Sequence, residues 1–246
     1  MDDLALISNA TATYDEIELL HPPVPPLQFP DPVLGRAVRT SAVVYNPDTD
    51  MKCIAPNVIY RAFQDQPFRL PNHAYLIGKK LKKAIYGCVR ASSVLRLREE
   101  TASGGVWEYT TTMAAVKIID WNAVRLMRGR HTEDPVKEVA CMQYISQDGR
   151  DPHPNVLGTW DVLADEQYLY SFMPFCSGGE MFTYVERDGR FKEPLARFWF
   201  KQILQVSKVI QHMCVILFNN LIFLLVKCNV FELKGFISFT TNGNMP

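Results

Sequence analysis

Hydrophobic and polar positions alternate from residue 75 onward. YLIGKKLKKAIYGCVRASSVLRLRE (75–99) reads as two strands with Gly87 between them. TASGG (101–105) is a turn, and WEYTTTMAAVKII (107–119), rich in β-branched and aromatic residues, reads as a third strand. Asp134-Pro135 is a helix start, with Asp as N-cap and Pro at the first helical position. That helix is expected to reach Ile145 with Val136, Val139, Ala140 and Met142 on one face. QDGRDPHPN (147–155) is loop. VLGTWDVLADEQYLYSFMPF (156–175) gives two more strands around a turn at 164–166, stopped by Gly178-Gly179. Residues 180–186 and 194–205 are helical in pattern. The predicted class is α+β: one antiparallel sheet, then the beginning of a helical unit.

The flanks differ. Residues 1–74 read as an N-terminal extension, partly Pro-rich and disordered, with 41–74 giving no clear pattern. HPPVPPLQFPDP (21–32) favours polyproline II, a spacer or a ligand for a Pro-motif-reading domain. From residue 206 the chain loses its charge pattern and fills with Ile, Leu, Phe and Asn. Residues 209–226 approach the length of a membrane span but contain Gln211, His212, Asn219 and Asn220, so a membrane anchor is not the favoured reading.

Composition narrows the field little. The chain has 246 residues, 48% of them hydrophobic, enough for one domain with extensions. Its 26 basic and 26 acidic residues balance, which argues against nucleic acid as a partner. Six scattered cysteines form no CxxC pair, and no histidine spacing suggests a metal site. Free thiols and an N-terminus carrying Asp2 and Asp3, without an apolar run, point to a cytoplasmic protein.

Candidate chemistry centres on Lys117, which ends the apolar run Met113-Ala114-Ala115-Val116. An ammonium there either snorkels to solvent or meets an anion. Glu138, one turn into the following helix, is a candidate partner.

Ala115-Val116-Lys117, then Glu138, His153-Pro154-Asn155-Val156, YLYSFMPFCSGGEMF (168–182) and GRFKEPLARFWFKQIL (189–204) occur in this order. Together they resemble the small lobe and first large-lobe helices of a eukaryotic Ser/Thr protein kinase, most like the cyclic-nucleotide-dependent and calmodulin-dependent branches. The resemblance implies a five-stranded antiparallel sheet with one helix over 75–180, including the hinge, and the first large-lobe helices over 181–205. It implies ATP as ligand and protein hydroxyls as acceptors in a full-length product. Lys117 would hold the α- and β-phosphates and Glu138 would orient it. Ala115 and Val89 would line the adenine slot, Leu81 would roof it and Met173 would close its back. Pro174 would offer a hinge carbonyl and Cys176 a hinge N–H. Glu180 matches an acid that contacts ribose or a basic substrate residue; its position also suits a helix N-terminus.

Two departures qualify this. The glycine-rich loop retains only Gly87, with Lys82 and Ala84 where two other glycines belong; Lys79, Lys80, Lys82 and Lys83 add charge nearby. ATP binding is therefore expected to be weak, and the stretch between Gly87 and Lys117 is long enough to imply an extended loop. No aspartate follows Asp188, so the catalytic-loop Asp and Asn and the Mg²⁺-binding Asp of a complete kinase are not found. As written, the chain is expected to be inactive. Alternatives are a non-catalytic, pseudokinase-like binding module and a tail-anchored interaction protein. Val206-Ser207-Lys208 can be encoded by GTAAGTAAG, so 206–246 is expected to be retained intron or a gene-model artefact. The Phe198, Trp199 and Ile203 side of the last helix is expected to lack partners.

Overall fold

A computed structural model describes residues 31–66, 69–101, 104–128, 130, 134–146, 154–179 and 181–212, the last six as backbone alone. The readings of 1–30 and 213–246 lie outside these residues, as does Glu180. Seven strands are present among them: β1 (Gly35–Asn46), β2 (Met51–Arg61), β3 (His73–Ala84), β4 (Gly87–Thr101), β5 (Gly104–Asp120), β6 (Asp161–Ala164) and β7 (Tyr168–Pro174). Four helices accompany them: α1 (Trp121–Met127), α2 (Pro135–Ile145), α3 (Met181–Asp188) and α4 (Glu193–His212).

The five strands and three helices expected after residue 73 are where the sequence pattern puts them. Asp134 caps α2 by accepting hydrogen bonds from the Val136 and Lys137 amides, with Pro135 in the first turn. The sheet runs β3-β4-β5-β7-β6. Besides α1, which the sequence reading does not include, two features of the sheet were not expected. Residues 35–61 are not a patternless extension but a hairpin that closes the sheet into a barrel, in the order β1-β2-β3-β4-β5-β7-β6 with β6 returning to β1. And the long connection before Lys117 is not a loop. Its residues lengthen β4 to 15 and β5 to 17 residues, and the first part of β5 pairs in parallel with β1 at Val43↔Val106 and Val44↔Trp107.

Closure gives the sheet a second buried face. Side chains alternate along β5, so Ala114 and Val116 face the barrel while Ala115 and Lys117 face α2. Ala37, Ile59, Tyr75, Leu163, Tyr170 and Phe172 join the barrel side, where the Tyr75 and Phe172 rings stack at 3.8 Å. A second cluster, Val44, Ala55, Val58, Ala74, Leu95 and Trp107, fills the end made by the added hairpin. β7 is buried on both faces, which explains the near-continuous apolar run LYSFM, a sequence without strand alternation.

The barrel is latched at Asp161, the first residue of β6. Its carboxylate accepts hydrogen bonds from Arg61 Nε and Nη2 (3.1 and 2.8 Å) and the Tyr75 hydroxyl (2.8 Å), and lies 2.9 Å from His73 Nε2. Gly35 lies beside this latch; a Cβ there would collide with the Arg61 guanidinium and crowd Leu163. Burial pushes the Asp161 carboxyl up, but the hydrogen bonds from His73, Arg61 and Tyr75 and the Arg61 charge outweigh it, leaving the group below the ordinary carboxylate range.

α4 passes residue 205 without interruption and runs to His212. Val206 is buried with Ala115, Cys141, Met142, Leu157 and Met173, and Asn155 Nδ2 donates to Gln205 Oε1 at 2.9 Å. The first residue past the expected boundary is thus part of the core. Trp199 is also buried, against expectation, whereas Phe198 and Phe200 are exposed. No helix of the described residues is long and apolar enough to cross a membrane.

Candidate nucleotide site

The site is built on the helix-facing side of β4, β5 and β7. Register sets Ala115 opposite Met173, and Lys117 between Val89 and Ser171. Lys117 Nζ donates to Glu138 Oε2 at 2.6 Å, with both side chains largely buried. The solvent-directed alternative for Lys117 therefore does not hold in this conformation. An ion pair shielded this far stays paired because neither charge regains full hydration by parting. It presents one cationic group on the helix-facing side of β5, three residues before the strand ends, where an anionic ligand can share it.

Beside it lies an apolar wall. Ala115 and Met173 pack with Cys141, Met142, Leu157 and Val206, and Val89, Phe175 and Cys176 pack against this cluster half-buried. Four expected slot residues, Ala115, Val89, Met173 and Cys176, are therefore brought together. Pro174 closes β7 next to them, paired with Ala114. Leu81 is 41% exposed and stands outside this cluster. The Cys141 thiol behind the wall is pushed up to about 12 by burial and by the neighbouring Glu138 charge.

The turn between β3 and β4 departs from a flexible glycine-rich flap. Pairing continues to Ala84↔Gly87, leaving Ile85 and Tyr86 as a two-residue turn. Gly87 has a packing reason to be glycine, since a Cβ would collide with the Ile118 carbonyl oxygen. The Tyr86 ring is buried among Ile119, Val124, Val136 and Val139, and the Asp120 amide donates to the Tyr86 carbonyl at 2.8 Å. Reading the sequence against a glycine pattern identifies the missing glycines but not this anchoring. An aromatic residue at a turn carries no signal of which way it points.

Among the described residues no group of three or more His, Cys, Asp or Glu could hold a metal ion. The set consists of an apolar wall, the end of β7 and one largely buried lysine.

The protein kinase domain family matches residues 102–219. The probable serine/threonine-protein kinase fhkD of Dictyostelium discoideum is 34% identical over 100 residues, covering 39% of this chain and 12% of that protein. CBL-interacting serine/threonine-protein kinase 26 of Arabidopsis thaliana is 30% identical over 130 residues, covering 53% of this chain and 25% of that protein. CBL-interacting protein kinase 30 of Oryza sativa subsp. japonica is 34% identical over 95 residues, 39% of this chain and 18% of that protein. The chain spans a quarter or less of the length of these relatives, and the family match, like α4, extends past residue 205. Over residues 102–219 the chain is thus similar to protein kinase domains, and two of these relatives are named as Ser/Thr protein kinases.

Proposed function

We propose that residues 73–179 form the ATP-binding lobe of a Ser/Thr protein kinase whose complete form transfers phosphoryl groups to protein hydroxyls. The observation that carries this is the Lys117–Glu138 pair at 2.6 Å, set at the end of the Ala115, Val89 and Met173 wall. Adenine would lie against that wall, its edge toward the backbone of Pro174 and Cys176, and Lys117 would meet the α- and β-phosphates. Bound ATP supplies the transferable phosphoryl group. The chain's own residues bind and orient it, while the Mg²⁺ ligands and catalytic base that act on it in a complete kinase have no counterpart after Asp188. Residues 73–179 are accordingly read as the nucleotide-binding part, with transfer activity assigned to the complete kinase.

A second reading, a non-catalytic kinase-like module, is favoured by Lys82 and Ala84 at the turn and by the buried Tyr86 ring. Titration of the full chain with a fluorescent ATP analogue tests the first reading. Lys117→Ala is expected to weaken binding at least about tenfold, the scale of one lost charge-assisted phosphate contact. Undiminished affinity in that variant removes the phosphate role.

A further inference from the structure

The added hairpin does more than close the barrel. Two residues before β1, the Val33 amide donates to Gln143 Oε1 at 2.7 Å, and Gln143 Nε2 donates back to the Val33 carbonyl at 2.8 Å. One side-chain amide on α2 thus satisfies both backbone groups of a residue 110 positions away in sequence. The Val33 side chain is 70% exposed, so the tie is made by the backbone and not by side-chain packing. The strand that follows is fixed at once: Gly35 pairs with Leu163 and Arg36 with Ala164 of β6, and β2 returns to β6 through Arg61 and Asp161.

Gln143 lies on the same helix as Glu138. We infer that the 33–61 segment is a built-in brace that positions α2 through the Val33–Gln143 bonds, and that Gln143 is a positioning residue for the Lys117–Glu138 pair. α2 holds Glu138 at Lys117 only while the helix keeps its rotation and distance from β5. Its packed face, Val136, Val139, Ala140, Cys141 and Met142, resists translation. That packing also limits rotation about the helix axis, but only to within the give of its side chains. A two-bond amide clamp is directional and fixes that rotation. The inference rests on the ion pair itself and is independent of whether nucleotide binds.

The test reads the ion pair without nucleotide. In the full chain, the rate of Lys117 acetylation by a brief acetic anhydride pulse is measured by peptide mass spectrometry, with exposed Lys192 and Lys201 as internal references. Gln143→Ala and Val33→Pro, which removes the donor amide, are each expected to raise the Lys117 rate severalfold, and the double variant no further. Glu138→Gln should raise it by itself, with no added effect of Gln143→Ala. An unchanged Lys117 rate in Gln143→Ala and Val33→Pro overturns the brace. So does a further rise when Gln143→Ala is added to Glu138→Gln, because Gln143 would then act on lysine burial and not on the pair. Should Gln143→Ala fail to fold, Gln143→Glu decides. It keeps the acceptor for the Val33 amide and loses the donor, so an intermediate rate supports the clamp and a wild-type rate refutes it.

Discussion

At the residue scale, burial decides which groups react. Cys53 is exposed, whereas Cys141 is 1% exposed with its thiol pushed up to about 12. A thiol reacts as its thiolate, so Cys141 is almost wholly unreactive near pH 8. Iodoacetamide at that pH should modify Cys53 and spare Cys141 in the folded chain, and denaturant should release Cys141; peptide mass mapping reads both. Asp161 is a polar residue whose loss is costly, because three side chains converge on it. Asp161→Asn removes the charge that Arg61, His73 and Tyr75 share, at a cost of about 2–3 kcal/mol in urea unfolding at neutral pH. The carboxyl is depressed in the folded chain, so its contribution is complete above the unfolded value and is lost as pH falls through the folded one. The gap between wild type and variant should hold from pH 7 down to about 4 and narrow below it.

At the element scale, what was legible in the sequence was what local pattern encodes. Asp134-Pro135 announced α2 through its own capping chemistry, and the β-branched run at 107–119 announced β5. Lys117 and Glu138 were found because an order of motifs, each weak alone, placed them on a strand and a helix that pack together. β1 and β2 were missed for a physical reason. β2 reads MKCIAPNVIYR, with Pro56 inside it and Asn57 at a positive φ of 60°, and its first half meets only β1. Proline within a strand demotes the reading, and only pairing with β1 and, at Val58 and Ile59, with β3 makes it a strand. The extra length of β4 and β5 has the sequence texture of a loop because nothing local shows that β1 runs alongside. Leu81 was placed by motif alone, and exposure at 41% leaves it available but not fixed.

At the scale of the whole molecule, the barrel interior is closed, while among the described residues the helical end keeps apolar side chains exposed. Phe182, Val185, Phe198, Phe200 and Leu204 are exposed on α3 and α4. Beside them Met181, Tyr184, Phe191, Pro194, Leu195 and Trp199 line a cavity of about 380 Å³. Several large apolar side chains left exposed on two neighbouring helices favour self-association. Light scattering of the chain should show concentration-dependent aggregation, reduced by the pair Phe198→Ser and Phe200→Ser. Wild-type chain that stays monomeric at tens of micromolar would count against this reading of the helical end.

The β1–β6 seam has a further consequence, for the order in which the chain acquires its shape. Arg61 and Asp161 are 100 positions apart, and Val33 and Gln143 are 110. Contacts so distant along the chain form only after a large loop has been closed, and topologies rich in them fold slowly. During synthesis the first hairpin leaves the ribosome long before β6 exists to receive it. Until then β1 lacks its β6 partner, and its unpaired backbone groups can be taken by another chain. The same closure that shields the finished barrel makes its assembly the step at which nascent copies compete with one another.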